Sequence, residues 1–241
     1  MRSIKFTLSK HTKSGWDAAV CLTEAYLAGQ SKADQLLEQL PDEFTGDKRN
    51  TCQSLFLGAL RHGHRTRHAL KPHLRKPPRP MVEAIFLVAG FELADSPAQK
   101  APQIIHHAVE RSKSLVKTSE QALLNAVLRK LPAALDEIAS GKHLAAQYSH
   151  PDWLVRRWIQ LFGADSCRKL LEWNQRIPDT YVKAYETVPQ EFKSTDWHNF
   201  YSVPSECRWL KQIQPLLNTG AAYIKDPSTR LAPKLLSLIH I

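Results

Sequence analysis

The chain has 241 residues, a net charge of +10 and a pI near 9.5, which gives room for one large domain or two modest ones and favours a polyanionic partner, nucleic acid ahead of a membrane surface. With only 9 glycines against abundant Leu and Ala, the composition leans toward helix and away from a long nucleotide-binding α/β sheet. The cysteines Cys21, Cys52, Cys167 and Cys207 form no CxxC pair, which argues against a zinc ribbon or disulfide framework and predicts a reducing, cytoplasmic compartment. No signal peptide or transmembrane run is legible, so no membrane partner is expected.

Residues 1–13 read as a short basic arm. Helical periodicity starts near Ser14, an N-cap candidate, with Trp16, Ala19, Val20, Leu22 and Leu27 forming an apolar stripe. A shorter helix over "SKADQLLEQL" follows. The run "KRNTCQSLFLGALRHGHRTRHALKPHL" reads as one long helix, with Gly58 and Gly63 as weak points or places of close approach. "RKPPRP" ends it, because proline lacks a backbone donor and restricts its predecessor. "MVEAIFLVAGFELAD" is apolar on all sides and is expected to be the central helix. "QIIHHAVERSKSLV" and "SEQALLNAVLRKL" complete a bundle of six or seven helices up to about residue 140.

The character then changes. "HPDWLVRRWIQLFG" and "ADSCRKLLEWNQRIP" read as two further helices. "TYVKAYETV" alternates like a strand. "EFKSTDWHNFYSVP" reads as a short helix and then a strand, and "GAAYIKDP" as a strand ending in a turn. "STRLAPKLL" reads as a helix, and "SLIHI" falls where a further strand would begin.

Between Asp47 and Glu83 there is no acidic residue. The window holds Arg61, Arg65, Arg67, Lys71, Arg75, Lys76 and Arg79, and a one-signed helical face of this kind suits phosphate tracking. The competing reading is a solvated face whose carboxylates come from elsewhere in the fold. Arg156 and Arg157, flanked by Trp153 and Trp158, add a second candidate RNA contact. Both tryptophans are expected to anchor the core together with Leu154 and Leu161. His64 and His68 have the i, i+4 spacing of a zinc pair, but the basic surroundings oppose a cation and no metal is expected. There is no Walker loop, GxGxxG or serine elbow. No residue is a candidate for catalysis or cofactor binding.

Several blocks, in order, resemble known families. "LFLGALRHGHRTRHAL", "MVEAIFLVAGFELAD" and "ALLNAVLRKL", with Asn125, Val127, Leu128 and Arg129, resemble NusB-like domains. His150, Pro151, Trp153, Leu154, Asn174 and Pro178 are similar to the linker of the bacterial ribosomal RNA cytosine-C5 methyltransferases of the RsmB/Sun group. "YIKDPSTRLAP" resembles the segment that leads into their S-adenosylmethionine domain. Lys183 and Tyr185 stand where that family usually shows Arg-x-Asn.

The resemblance implies a mainly α fold. A NusB-like helical RNA-binding domain would span 1–140, a helical linker 141–177, a small α/β (RRM-like) module 178–226, and the start of a catalytic domain 227–241. It implies ribosomal RNA as partner, 16S first. It also implies S-adenosylmethionine as cofactor of the full-length family enzyme, none being bound by this chain. The family's methyl-transfer cysteines and glycine-rich loop have no counterpart here, so the chain is expected to bind RNA without catalysing transfer. The other reading is a stand-alone NusB-like RNA-binding or antitermination protein without enzyme activity.

Overall fold

A computed structural model describes residues 12–176, 178–204, 207 and 209–231. The expected basic arm lies almost wholly outside these residues, as do the strand start in "SLIHI" and most of the helix in "STRLAPKLL". The chain divides into two compact units, Met1–Gln175 and Arg176–Ile241.

The first unit is helical: α1 Gly15–Leu27, α2 Ala33–Glu38, α3 Gly46–Arg61, α4 Gly63–Leu70, α5 Pro80–Asp95, α6 Ala101–Ser112, α7 Thr118–Leu128, α8 Leu131–Ser140, α9 Leu144–Gln147, α10 Asp152–Phe162 and α11 Ala164–Gln175. Helix α1 starts at a capping box. The Ser14 hydroxyl accepts from the Asp17 amide at 3.2 Å, and Asp17 Oδ2 accepts from the Ser14 amide at 3.0 Å. Together these satisfy two donors at the helix entry. The same Oδ2, buried, also accepts from the Lys13 amide and from Arg111 Nη1 on α6, each at 3.1 Å.

Helix α5 is the hub. Val82, Ala84 through Gly90 and Leu93 are all buried, as a helix apolar on every side must be, and it packs against α1, α3, α4, α6, α7 and α8. Two glycines permit close crossings at this hub. A Cβ on Gly58 of α3 would lie 2.2 Å from the Phe91 ring, and one on Gly90 would lie 2.5 Å from Thr66 of α4.

The structure corrects the expectation of one long helix over residues 48–74. The helix breaks at His62 (φ −96°, ψ 7°), whose ring stacks on Phe91 with centroids 5.4 Å apart. Eight α-helices thus precede Gly141 among the described residues, rather than six or seven. Helix α9 packs on α4 and α8. Ala145, Val155, Cys167 and Leu171 form a small core shared by α9, α10 and α11.

The second unit is a four-stranded antiparallel sheet in the order β2-β3-β1-β4, with β1 Thr180–Ala184, β2 Lys193–Ser194, β3 Phe200–Val203 and β4 Ala222–Ile224, plus α12 Gln214–Asn218. Strand alternation sends Val182 and Ala184 into a core with Phe192, Val203, Ile213 and Ala222. On the other face, Lys183 sits 4.6 Å from the Tyr185 ring. The helix expected within "EFKSTDWHNFYSVP" is instead a hairpin: Lys193 pairs with Ser202, and the Thr195 hydroxyl closes the turn by donating to the Phe200 carbonyl at 2.9 Å.

Candidate nucleic-acid interface

Helix α4 buries Gly63, Thr66, Ala69 and Leu70, a 3.6-residue stripe that fixes the direction of every other side chain on it. Its first turn is completed from far along the chain. The amide of Arg65 donates to the Ser149 hydroxyl at 3.2 Å, relieving one orphan donor at a helix start. Ser149 holds a left-handed backbone (φ 54°) at this point, an uncommon conformation for a residue with a side chain.

The stripe separates the predicted cations. Arg65 turns inward: it is half-buried, and its Nη2 donates to the Leu135 carbonyl at 3.1 Å. Burial lowers its pKa, and Asp136 opposes that shift. Arg65 therefore does not share an outward face with Arg61 and Arg67. Arg67 is exposed but bound to Glu83 of α5, with Nε to Oε1 at 2.6 Å. Arg79 grips Glu120 of α7 through two bonds, at 2.6 and 2.7 Å. That grip, with a further bond from the Lys117 amide, holds the Glu120 carboxyl down at about 2. Arg61, Lys71, Arg75 and Lys76 are exposed and have no carboxylate partner among the described residues. Three of them, Lys71, Arg75 and Lys76, follow one another along the short 3₁₀ turn and coil between α4 and α5.

His64 and His68, the pair with zinc-like spacing, meet different neighbours. His68 stacks on His143 with centroids 4.9 Å apart. His143 Nδ1 accepts from the Ala146 amide at 3.2 Å, so its proton sits on Nε2, 3.1 Å from Asp152 Oδ1. The half-buried His64 has its pKa lowered by burial, which favours the neutral ring. No group of three or more His, Cys, Asp or Glu side chains could hold a metal ion among the described residues.

On α10, Arg156 and Arg157 are exposed. The expected tryptophan anchors are only half right. Val155 is buried and Trp158 is half-buried, packed 5.6 Å from His150. Trp153 and Leu161 are each 62% exposed, because the phase set by Val155 turns them away. The motif residues His150 and Asn174, distant in sequence, come together: Asn174 Nδ2 lies 3.3 Å from His150 Nε2, and Gln175 Nε2 donates to the Tyr148 carbonyl at 2.7 Å.

A cleft of about 330 Å³ lies within the basic segment, walled by Leu70, Leu74, Pro77 and Pro78 and bordered by the Arg67–Glu83 pair. The sequence reading missed it. The only signal was "KPP", which marks a break in a helix and not the wall of a cavity.

Three of the four thiols are packed as core groups. Cys21, Cys52 and Cys167 are buried. Burial raises all three pKa values, that of Cys52 to about 12, so they stay protonated at neutral pH.

Comparison with known proteins bears out the resemblance. Residues 18–132 match the NusB family. Over 138 residues the chain is 27% identical to the probable ribosomal RNA small subunit methyltransferase B of Bacillus subtilis (strain 168), covering 54% of this chain and 30% of that protein. The two matches agree with the likeness to NusB-like domains and to the RsmB/Sun group. The chain spans less than a third of the length of the curated relative it matches. No helix of the described residues is long and apolar enough to cross a membrane.

Proposed function

We propose that this chain is the RNA-positioning N-terminal region of an S-adenosylmethionine-dependent ribosomal RNA (cytosine-C5) methyltransferase of the cytoplasm. In this reading it holds small-subunit, 16S-type RNA while a catalytic domain outside these residues transfers the methyl group. The observation that carries the proposal is the similarity to the Bacillus methyltransferase, which covers more of the chain than the NusB match occupies. A stand-alone NusB-like protein leaves the second compact unit, Arg176–Ile241, without a role.

The side chains fit the division of labour. A cytosine-C5 transfer needs a thiolate to attack the base and a cradle for the cofactor. The three buried thiols are held protonated, and no glycine-rich loop occurs in the sequence. These features support a role in holding RNA, and no step of the transfer is assigned to these residues. The exposed cations Arg61, Lys71, Arg75 and Lys76 supply the electrostatic attraction. Arg156 and Arg157 on α10 extend it.

Two measurements test the proposal. The chain should bind unmodified small-subunit ribosomal RNA, with log K falling linearly against log salt. The full gene product should transfer tritiated methyl from S-adenosylmethionine to cytosine C5 of that RNA. A folded full-length protein that transfers no label overturns the methyltransferase reading. A chain that binds no RNA at low salt overturns the positioning role.

A further inference from the structure

The cleft beside α4 has a shape and a chemistry that general phosphate attraction does not require. We propose that it takes a single unpaired nucleotide of RNA, the base entering between the leucines and prolines and the backbone phosphates lying on Lys71, Arg75 and Lys76. The proposal rests on the RNA-binding reading above and makes it specific.

At about 330 Å³ the cavity is at the small end of ligand sites, which run from about 300 to 1,000 Å³. It admits one planar ring system and no duplex. Its walls are apolar and stiff: Leu70 is buried at the end of α4, and Pro77 and Pro78 have their φ angles fixed by their rings. Prolyl and leucyl faces offer a flat aliphatic surface to a base without an aromatic partner. The water-filled alternative keeps apolar surface wet, and a base removes it from water.

Charge completes the site. Lys71, Arg75 and Lys76 border the cavity, and with no carboxylate partner among the described residues they leave positive potential at its mouth that an anion relieves. The Arg67–Glu83 pair shares the same cavity. One guanidinium nitrogen and one carboxylate oxygen are committed to each other at 2.6 Å. The other guanidinium N–H groups and Oε2 stay available, a donor beside an acceptor. Every base carries a donor beside an acceptor on its Watson–Crick edge, and pairing uses both. The arrangement therefore selects unpaired over paired nucleotides, as recognition of splayed single-stranded bases does elsewhere.

The test uses the chain with single-stranded RNA oligonucleotides carrying 2-aminopurine at successive positions, and with duplexes of equal length. Binding should raise the fluorescence at one position, because the base leaves its stacked neighbours for an aliphatic cleft. Single strands should bind more tightly than duplexes. Leu74→Gln keeps size and charge but spoils the wall. It should weaken single-strand binding by about tenfold, the order of losing the contacts to one base, and abolish the fluorescence rise with the salt slope unchanged. Glu83→Gln, a second variant that keeps the side-chain shape, should narrow the gap between single strand and duplex.

If RNA binds with its salt dependence intact but no position brightens and both variants behave as wild type, the nucleotide cleft is refuted while the RNA interface stands. Equal affinity for duplex, or a preference for an acidic phosphopeptide of matching charge, also refutes it. If the chain binds no RNA at all, the broader reading falls with it.

Discussion

Replacing Asp17 by alanine removes one oxygen that three donors share. Oδ2 accepts from the amides of Lys13 and Ser14 and from Arg111 Nη1, so one substitution breaks the α1 capping box and the α1–α6 tie together. The loss of a helix cap costs about 1 kcal/mol. The Arg111 pair adds about 0.5–1 kcal/mol, discounted because that side chain is 37% exposed and screened by solvent. Asp17→Ala should therefore destabilise the first unit by about 2 kcal/mol, a fall in Tm of about 4–8 °C for a unit of this size. Asp17→Asn keeps an acceptor for the two amides and loses the charge, and should cost about half as much. Urea titration followed by ellipticity at 222 nm measures both. A double-mutant cycle with Arg111→Gln should return a coupling of about 0.5–1 kcal/mol. An alanine variant within about 0.5 kcal/mol of wild type, inside the range of ordinary surface changes, would show that the three bonds merely replace equally good bonds to water.

Removing Lys71, Arg75 and Lys76 together as alanines should make the slope of log K against log salt shallower by about 2, since each phosphate contact on single-stranded nucleic acid contributes about 0.7. The same slope in filter binding moves the contact elsewhere. Glu120, held at about 2 in the folded protein chiefly by the Arg79 hydrogen bonds, contributes stability that is full above the ordinary glutamate value of 4.5 and is lost as pH falls from there toward 2. The exposed setting of Arg79 limits this to about 0.5–1 kcal/mol, and Arg79→Ala should abolish that part of the acid dependence in pH-resolved melts. Cys21, Cys52 and Cys167, buried and with raised pKa values, should react with a disulfide reagent at neutral pH only after denaturant is added. Fast labelling of any of the three in the native protein, located by peptide mass, contradicts their burial.

What the sequence discloses follows the range of the interactions involved. The cap at Ser14, the all-round apolar character of α5 and the alternation of β1 are local, and each is legible within a dozen residues. The fate of the basic run is not local. Its carboxylates come from Glu83 and Glu120, the second 41 positions from its arginine, and the carbonyl that draws Arg65 inward lies 70 positions away. A window of charge cannot show such partners, so seven cations look alike that the fold sorts into inward-turned, paired and free. Trp153 is misread for a related reason. A helix with apolar residues on several sides does not state which side is covered, and here Cys167 and Leu171 of the next helix select Val155. The break at His62 depends on Phe91, nearly thirty residues on. The pairing of His150 with Asn174 gives a physical reason for two residues that the sequence offers only as a motif.

Helix α5 has one more consequence. Surrounded by six other helices, its amides should exchange with deuterium only when the whole first unit opens, whereas α10 and α11, with their four-residue core, should exchange through smaller openings. Glu83 stands in the first turn of that slow-exchanging helix, and Arg67 is tied to it. One border of the cleft is thus fastened to the central helix of the first unit. A guest there meets a surface already in its final shape, and little of the binding energy goes to ordering the host.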